Sequence, residues 1–162
     1  MDNLEIERKF LVDIDKIPYD LATMEKKYIE QGYILHNPVV RVRAVSDSEY
    51  YMTFKSNTDD DMVRNEIEFR ISKDAYKKIM SRKDVNKIKK NRYIAFENNN
   101  KFELDIFDEG LKGLACLEVE FNDIEEANRF NIPSWVKKEV TGDVRYTNSE
   151  LSKNKNSLND LI

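Results

Sequence analysis

The chain has 162 residues, 40% of them hydrophobic and 36% charged, with 31 acids against 27 bases for a net charge of −4. This length suits one domain that buries its own core. The near-balance of charge leaves neither the basic footprint of a nucleic-acid binder nor a polybasic membrane patch. One cysteine excludes an internal disulfide, and the single histidine, beside the Asn37-Pro38 turn, speaks against a histidine-based triad and a multi-histidine zinc site; among only four glycines no P-loop or glycine-rich dinucleotide fingerprint appears.

Chemistry must then come from carboxylates, lysines, arginines and tyrosines. No apolar run approaches the roughly 18 residues of a membrane span, and Met1–Glu5 lacks the apolar core of a signal peptide. A cytoplasmic protein with no membrane or nucleic-acid partner is expected.

In chain order, Leu4–Val12 reads as a first strand. Asp15–Glu30 is ambiguous, because Leu21, Met24 and Tyr28 recur at helical spacing. Gly32–Leu35, Val39–Val45 and Glu49–Lys55 read as strands, broken by a turn at His36-Asn37-Pro38 and another at Ser46–Ser48. His36 reads as a surface turn residue. Ser56–Met62 is a polar loop and Arg64–Ile71 a strand. Ser72 caps a helix to about Arg82. Lys89–Glu97 and Lys101–Phe107 form a hairpin around Asn98–Asn100. Leu114–Phe121 is the last clear strand, and Asp123 with Glu126 resembles a capping box. Residues 1–150 make one domain, and 151–162 a polar tail that frays.

The informative pattern is the placement of charge within strands. Alternate residues of a strand share a face. Glu5, Glu7 and Lys9 therefore lie together, as do Arg41 with Arg43, Thr53 with Lys55, and Arg64, Glu66, Glu68 and Arg70. Lys90 pairs with Arg92, Glu103 with Asp105, and Glu118 with Glu120. A solvated outer face explains one such strand. It does not explain charge pairs on nearly every strand, several of them wholly acidic, because adjacent like charges are destabilising unless something compensates.

Curling the sheet into a closed, antiparallel eight-stranded β-barrel turns these faces inward. The fold class is then mainly β (α+β), a tunnel with a charged interior and a few flanking helices. Arginine and lysine bind phosphate oxygens, and clustered carboxylates bind Mg²⁺ or Mn²⁺. Both signs in one cavity describe a metal–polyphosphate site. The apolar outer wall needs cover from the helices or a second chain, so a homodimer is reasonable. Two features break the pattern: Arg8 sits on the apolar parity, and Ile94 and Phe96 share parity with Arg92. The latter strand must leave the tunnel or carry a bulge.

The motif Glu5-x-Glu7-x-Lys9, followed by Arg41-x-Arg43, Thr53-x-Lys55, Glu66-x-Glu68, Lys90-x-Arg92, Glu103-x-Asp105 and Glu118-x-Glu120, resembles the CYTH superfamily, the triphosphate tunnel metalloenzymes. Glu139-Val140-Thr141-Gly142-Asp143-x-Arg145-Tyr146 and Gln31-Gly32-Tyr33 resemble its small bacterial branch. The likeness covers about residues 2–150. It implies a divalent-metal-dependent hydrolase of a triphosphate substrate, above all inorganic triphosphate. The alternatives are an adenylate cyclase or a non-catalytic polyphosphate-binding barrel.

On this resemblance Arg41, Arg43, Lys55, Lys90 and Arg92 grip the phosphate chain. Glu5, Glu7, Glu118 and Glu120 are the first metal ligands, with Glu103 and Asp105 next. Glu66 and Glu68 hold a second metal or orient the attacking water. Lys9 is a phosphate clamp or a general base, and Tyr33 matches a tyrosine proposed as catalytic in similar small triphosphatases.

Overall fold

The structure, a computed structural model, describes residues 3–162; Met1 and Asp2, where the domain was read to begin, lie outside the described residues. The strands are β1 (Leu4–Val12), β2 (Glu25–His36), β3 (Val39–Val45), β4 (Glu49–Asn57), β5 (Val63–Arg70), β6 (Asn86–Glu97), β7 (Asn100–Phe107), β8 (Ala115–Glu120) and β9 (Val136–Glu139). The helices are α1 (Lys73–Met80), α2 (Ile124–Arg129), α3 (Asn148–Ser152) and α4 (Leu158–Leu161). All strand pairings are antiparallel, in the order β5-β4-β3-β2-β6-β7-β8-β1, and β5 pairs with the start of β1 to close an eight-stranded barrel. β9 takes the rest of that β1 edge, opposite Phe10–Val12.

Tight turns set the register. Ser46 and Asp47 turn β3 into β4, and Asn98 and Asn99 turn β6 into β7, all four at φ between 49° and 66°. Short polar side chains tolerate that left-handed region. Ser72 accepts from the Ala75 amide at 3.1 Å to start α1, and Asp123 accepts from the Glu126 amide at 2.8 Å to start α2.

Outward positions bury against two covers. Val42, Ala44 and Tyr50 pack under α1 through Tyr76 and Met80. Gly32 permits that approach, since a Cβ there would stand 2.3 Å from Met80 Sδ. Phe10, Phe102, Leu104, Leu117 and Val119 pack beneath Ile14, Leu21, Ala127 and Phe130. A third sector of the wall, on β4 and β5, leaves Phe54, Ile67 and Phe69 exposed.

Several expectations change. The ambiguous segment Asp15–Glu30 holds two single 3-10 turns, Ile14–Lys16 and Leu21–Thr23, and then enters β2 at Glu25. Pairing of Glu25–Tyr33 with β6 overrides the helical spacing of its apolar residues. β6 carries no bulge toward β7, pairing in unbroken register from Lys90 opposite Phe107 to Glu97 opposite Asn100. It runs out past the barrel instead, leaving Phe96 74% exposed. Arg8 faces outward as its parity requires, and forks onto Glu139 with two bonds of 2.8 Å, tying β1 to β9.

The C-terminal segment is packed rather than frayed. Inward-facing Leu11, Ile88, Phe107 and Cys116 form an apolar floor at one end of the barrel, against Tyr146, Leu151 and Leu161. Tyr146 donates its hydroxyl proton to the Leu161 carbonyl at 2.9 Å. No helix among the described residues is long and apolar enough to cross a membrane.

Candidate active site

Above the apolar floor the barrel holds a cavity of about 550 Å³. Glu5, Glu7 and Lys9 line it from β1, Arg41 and Arg43 from β3, Lys55 from β4, Glu66 and Glu68 from β5. Arg92, Glu103, Glu118, Glu120 and Tyr33 complete the wall. The ladder explains the company each keeps: Glu7 stands opposite Glu120, Lys9 opposite Glu118, Tyr33 opposite Arg41 and Lys55 opposite Glu66.

Lys90 and Asp105 stand apart. Both are fully buried behind the cavity wall, with Lys90 Nζ 2.6 Å from Asp105 Oδ2. Arg92 takes the same carboxylate through Nε at 2.7 Å and Nη2 at 2.8 Å, then reaches Glu103 at 2.6 Å and Glu118 at 3.0 Å. Burial pushes Lys90 down to about 8 despite Asp105, while Arg92 and Lys90 overcome burial to hold Asp105 low. Both oxygens of Asp105 are occupied, and neither Lys90 nor Asp105 is among the residues that line the cavity. Through Asp105 the pair buttresses Arg92.

Other cavity charges are also paired. Lys55 Nζ bridges Glu5 at 2.6 Å and Glu66 at 3.0 Å, and Lys9 Nζ lies 3.1 Å from Glu118. Burial would lower Lys9, but Glu118 and Glu7 hold it above its ordinary value. With these carboxylates beside it the amine keeps its proton. Burial would raise Glu118, yet Lys9, Arg92 and Lys90 hold it well below the carboxylate range. Glu5 is lowered as well, because Lys55 outweighs burial. Glu68 accepts from the Thr53 hydroxyl at 2.7 Å. Arg70 pairs with Glu49 at 2.8 Å.

Two sets of charges remain unpaired among the described residues. Arg41 and Arg43 make no ion pair; Arg41 is 4% exposed and its Nε has no hydrogen-bond partner. Burial with Arg41 and Arg92 alongside lowers Arg43 to about 10, still charged at neutral pH. A buried guanidinium without a counter-charge is costly unless an anion completes it. On the other side, Glu7 is pushed up to about 7 by burial, then by Glu118 and Glu5. Glu120 is raised by burial, Glu5 and Glu103.

That donor set fits a divalent cation. No three acidic, histidine or cysteine side chains among the described residues already form a metal cage. Mg²⁺ does not require one, since it takes one or two carboxylates beside substrate oxygens and water. Glu7 and Glu120, neighbours of like charge with no ion-pair partner among the described residues, offer that pair.

Sequence reasoning missed two residues. Gln31 is fully buried on the Tyr33 face, where parity alone could have found it. His36 is no surface turn residue: it lines the cavity, its ring stacked on Tyr33 and bonded to Ser149 of α3. Cys116 is the packed thiol its isolation suggested, pushed up to about 12 by burial.

Comparison with known proteins agrees with this geometry. The chain is 33% identical to an inorganic triphosphatase of Nitrosomonas europaea over 91% of its own length and 96% of that protein. It is 37% identical to an inorganic triphosphatase of Acetivibrio thermocellus, over 93% of this chain and 94% of that one. A solved structure of an inorganic triphosphatase superposes with a TM-score of 0.66 at 32% identity, covering 91% of this chain and 93% of the other. The CYTH domain model matches residues 3–140, which hold every charged pair lining the barrel, and the chain belongs to the CYTH domain family.

Proposed function

We propose that the chain hydrolyses inorganic triphosphate to phosphate and pyrophosphate, with Mg²⁺ or Mn²⁺ as cofactor. The observation that carries this reading is the separation of unpaired charge within one cavity: among the described residues Arg41 and Arg43 form no ion pair with an acid, and Glu7 and Glu120 none with a base. A linear triphosphate and a divalent cation supply what each set lacks. The two triphosphatases of similar sequence support the same substrate.

Arg41 and Arg43 grip the phosphates, and Arg92, Lys55 and Lys9 add charge while holding the carboxylates apart. Guanidinium forks suit phosphate oxygens. Glu7 and Glu120 would hold the metal, with Glu5, Glu118 and Glu103 beside them. A bound cation neutralises phosphate charge and makes the phosphorus easier to attack. Glu66 and Glu68 face the same space as acceptors able to orient water, and Tyr33 meets the phosphate chain from the β2 side.

The test is product identification. Purified protein should release phosphate and pyrophosphate from triphosphate only when Mg²⁺ or Mn²⁺ is added. Cyclic AMP from ATP would instead identify a cyclase, and tight triphosphate binding with no turnover a binding barrel.

A further inference from the structure

Tyr33 is 1% exposed, and its ring stacks on His36 with 5.8 Å between centroids and 14° between planes. His36 is held at both nitrogens, Nδ1 lying 2.7 Å from Ser149 Oγ and Nε2 3.2 Å from Asn86 Nδ2. The phenol ring is thus fixed, and the torsion of its O–H is the freedom that remains.

Gln31, fully buried two residues earlier on the same face, sets that torsion. Arg43 Nε donates to Gln31 Oε1 at 2.7 Å. A guanidinium nitrogen cannot accept, so the amide atom facing it must be the oxygen. The amide nitrogen then faces Tyr33 and donates to the hydroxyl oxygen at 3.0 Å. The hydroxyl also lies beside Arg41, and Arg41 too has only N–H groups to offer. Among the described residues no side chain or carbonyl accepts the Tyr33 proton. A buried O–H surrounded by donors lacks an acceptor, and the flanking arginines favour an anionic one.

We infer that Gln31 is a positioning residue, which orients the Tyr33 hydroxyl as a hydrogen-bond donor to a phosphate oxygen and tethers Arg43 toward the same anion. This rests on the triphosphatase reading and deepens it. Tyr33 holds its proton toward the ligand and is not the base that activates water. Because the bond runs to charge that grows during phosphoryl transfer, its loss falls on kcat; the slackened Arg43 falls on KM.

The experiment is a double-mutant cycle with triphosphate and Mn²⁺, using Gln31→Leu in the wild-type and Tyr33→Phe backgrounds. A hydrogen bond to a charged acceptor corresponds to about a tenfold change. Gln31→Leu should lower kcat by about tenfold in the wild-type background, and by less than about twofold once Tyr33→Phe has removed the hydroxyl. KM should rise in both. An equal loss of kcat in the two backgrounds overturns the inference, as does Tyr33→Phe with unchanged kcat. Should Gln31→Leu fail to fold, Gln31→Glu replaces it: its carboxylate accepts the Tyr33 proton and turns it away from the cavity, with the same dependence on Tyr33. If the wild type hydrolyses no triphosphate, the proposed activity fails separately. Calorimetry of metal-free triphosphate binding then reads the same bond, with about tenfold weaker binding expected for Tyr33→Phe and equal binding overturning the inference.

Discussion

Glu7 and Glu120 face each other across the β1–β8 ladder, and neither carboxylate has a hydrogen-bond or ion-pair partner among the described residues. Without metal this is a stability cost with a definite pH signature. Glu7 titrates near 7 when folded, against about 4.5 unfolded. Below the lower value both states hold the proton and nothing is lost. As pH rises from the lower value to the folded one, the unfolded chain gives up its proton while the folded one keeps it against burial and its acidic neighbours, so stability falls, and the loss is complete above the folded value.

Glu7→Gln should therefore stabilise the metal-free protein at pH 8 but not at pH 5. The gain should be about 1–2 kcal/mol, less than the full shift implies, because the carboxylate faces a water-accessible cavity. Denaturant melts of both proteins at the two pH values check it. Added Mn²⁺ should reverse the order, stabilising the wild type more than the variant.

The buried cluster behind the wall gives an asymmetric expectation. Asp105→Asn leaves Lys90 and Arg92 facing each other without their shared counter-charge and should cost about 3 kcal/mol or more. Lys90→Met leaves Asp105 with both Arg92 bonds and should cost less than about 2 kcal/mol. Urea titrations of the pair measure the difference. If Asp105→Asn folds in Mn²⁺ solutions, its apparent metal affinity should stay far closer to wild type than that of Glu7→Gln.

The barrel floor depends on a segment that is polar in sequence. Leu161 is 1% exposed within the cluster containing Tyr146 and Leu151. Leu161→Ala should destabilise by about 2–4 kcal/mol through the cavity it leaves. Val144→Ala, at a site 65% exposed in the same segment, should stay within about 0.5 kcal/mol. Thermal melts of the two variants separate a packed floor from a loose tail.

The barrel was legible because strand periodicity is two: one charged face repeated on strand after strand admits few other arrangements. Depth along a strand is not written in that period. Glu103, Asp105 and Phe107 share one face, yet the first lines the cavity, the second lies behind its wall and the third belongs to the floor. Parity therefore grouped Asp105 with the acids that line the cavity. The first half of β2 is ambiguous in sequence because Leu21, Met24 and Tyr28 fall at helical spacing, and only its long-range partner β6 decides the matter. His36 looked like a turn residue because its partners, Asn86 and Ser149, lie 50 and 113 residues away. The C-terminal floor failed for a similar reason, with a few buried leucines scattered among polar residues.

The division of labour between acids and bases is the centre of the account, and a two-dimensional titration of Mn²⁺ and triphosphate tests it most directly. Hydrolysis rates are measured for the wild type, Glu7→Gln and Arg41→Ala across both concentrations. Gln keeps one acceptor oxygen but lacks the charge a hard cation needs, whereas Ala removes a permanently charged phosphate donor. Raising Mn²⁺ should partly restore Glu7→Gln, and raising triphosphate should partly restore Arg41→Ala. Rescue of Arg41→Ala by metal alone, or of Glu7→Gln by substrate alone, would contradict the assignment of acids to metal and bases to phosphate.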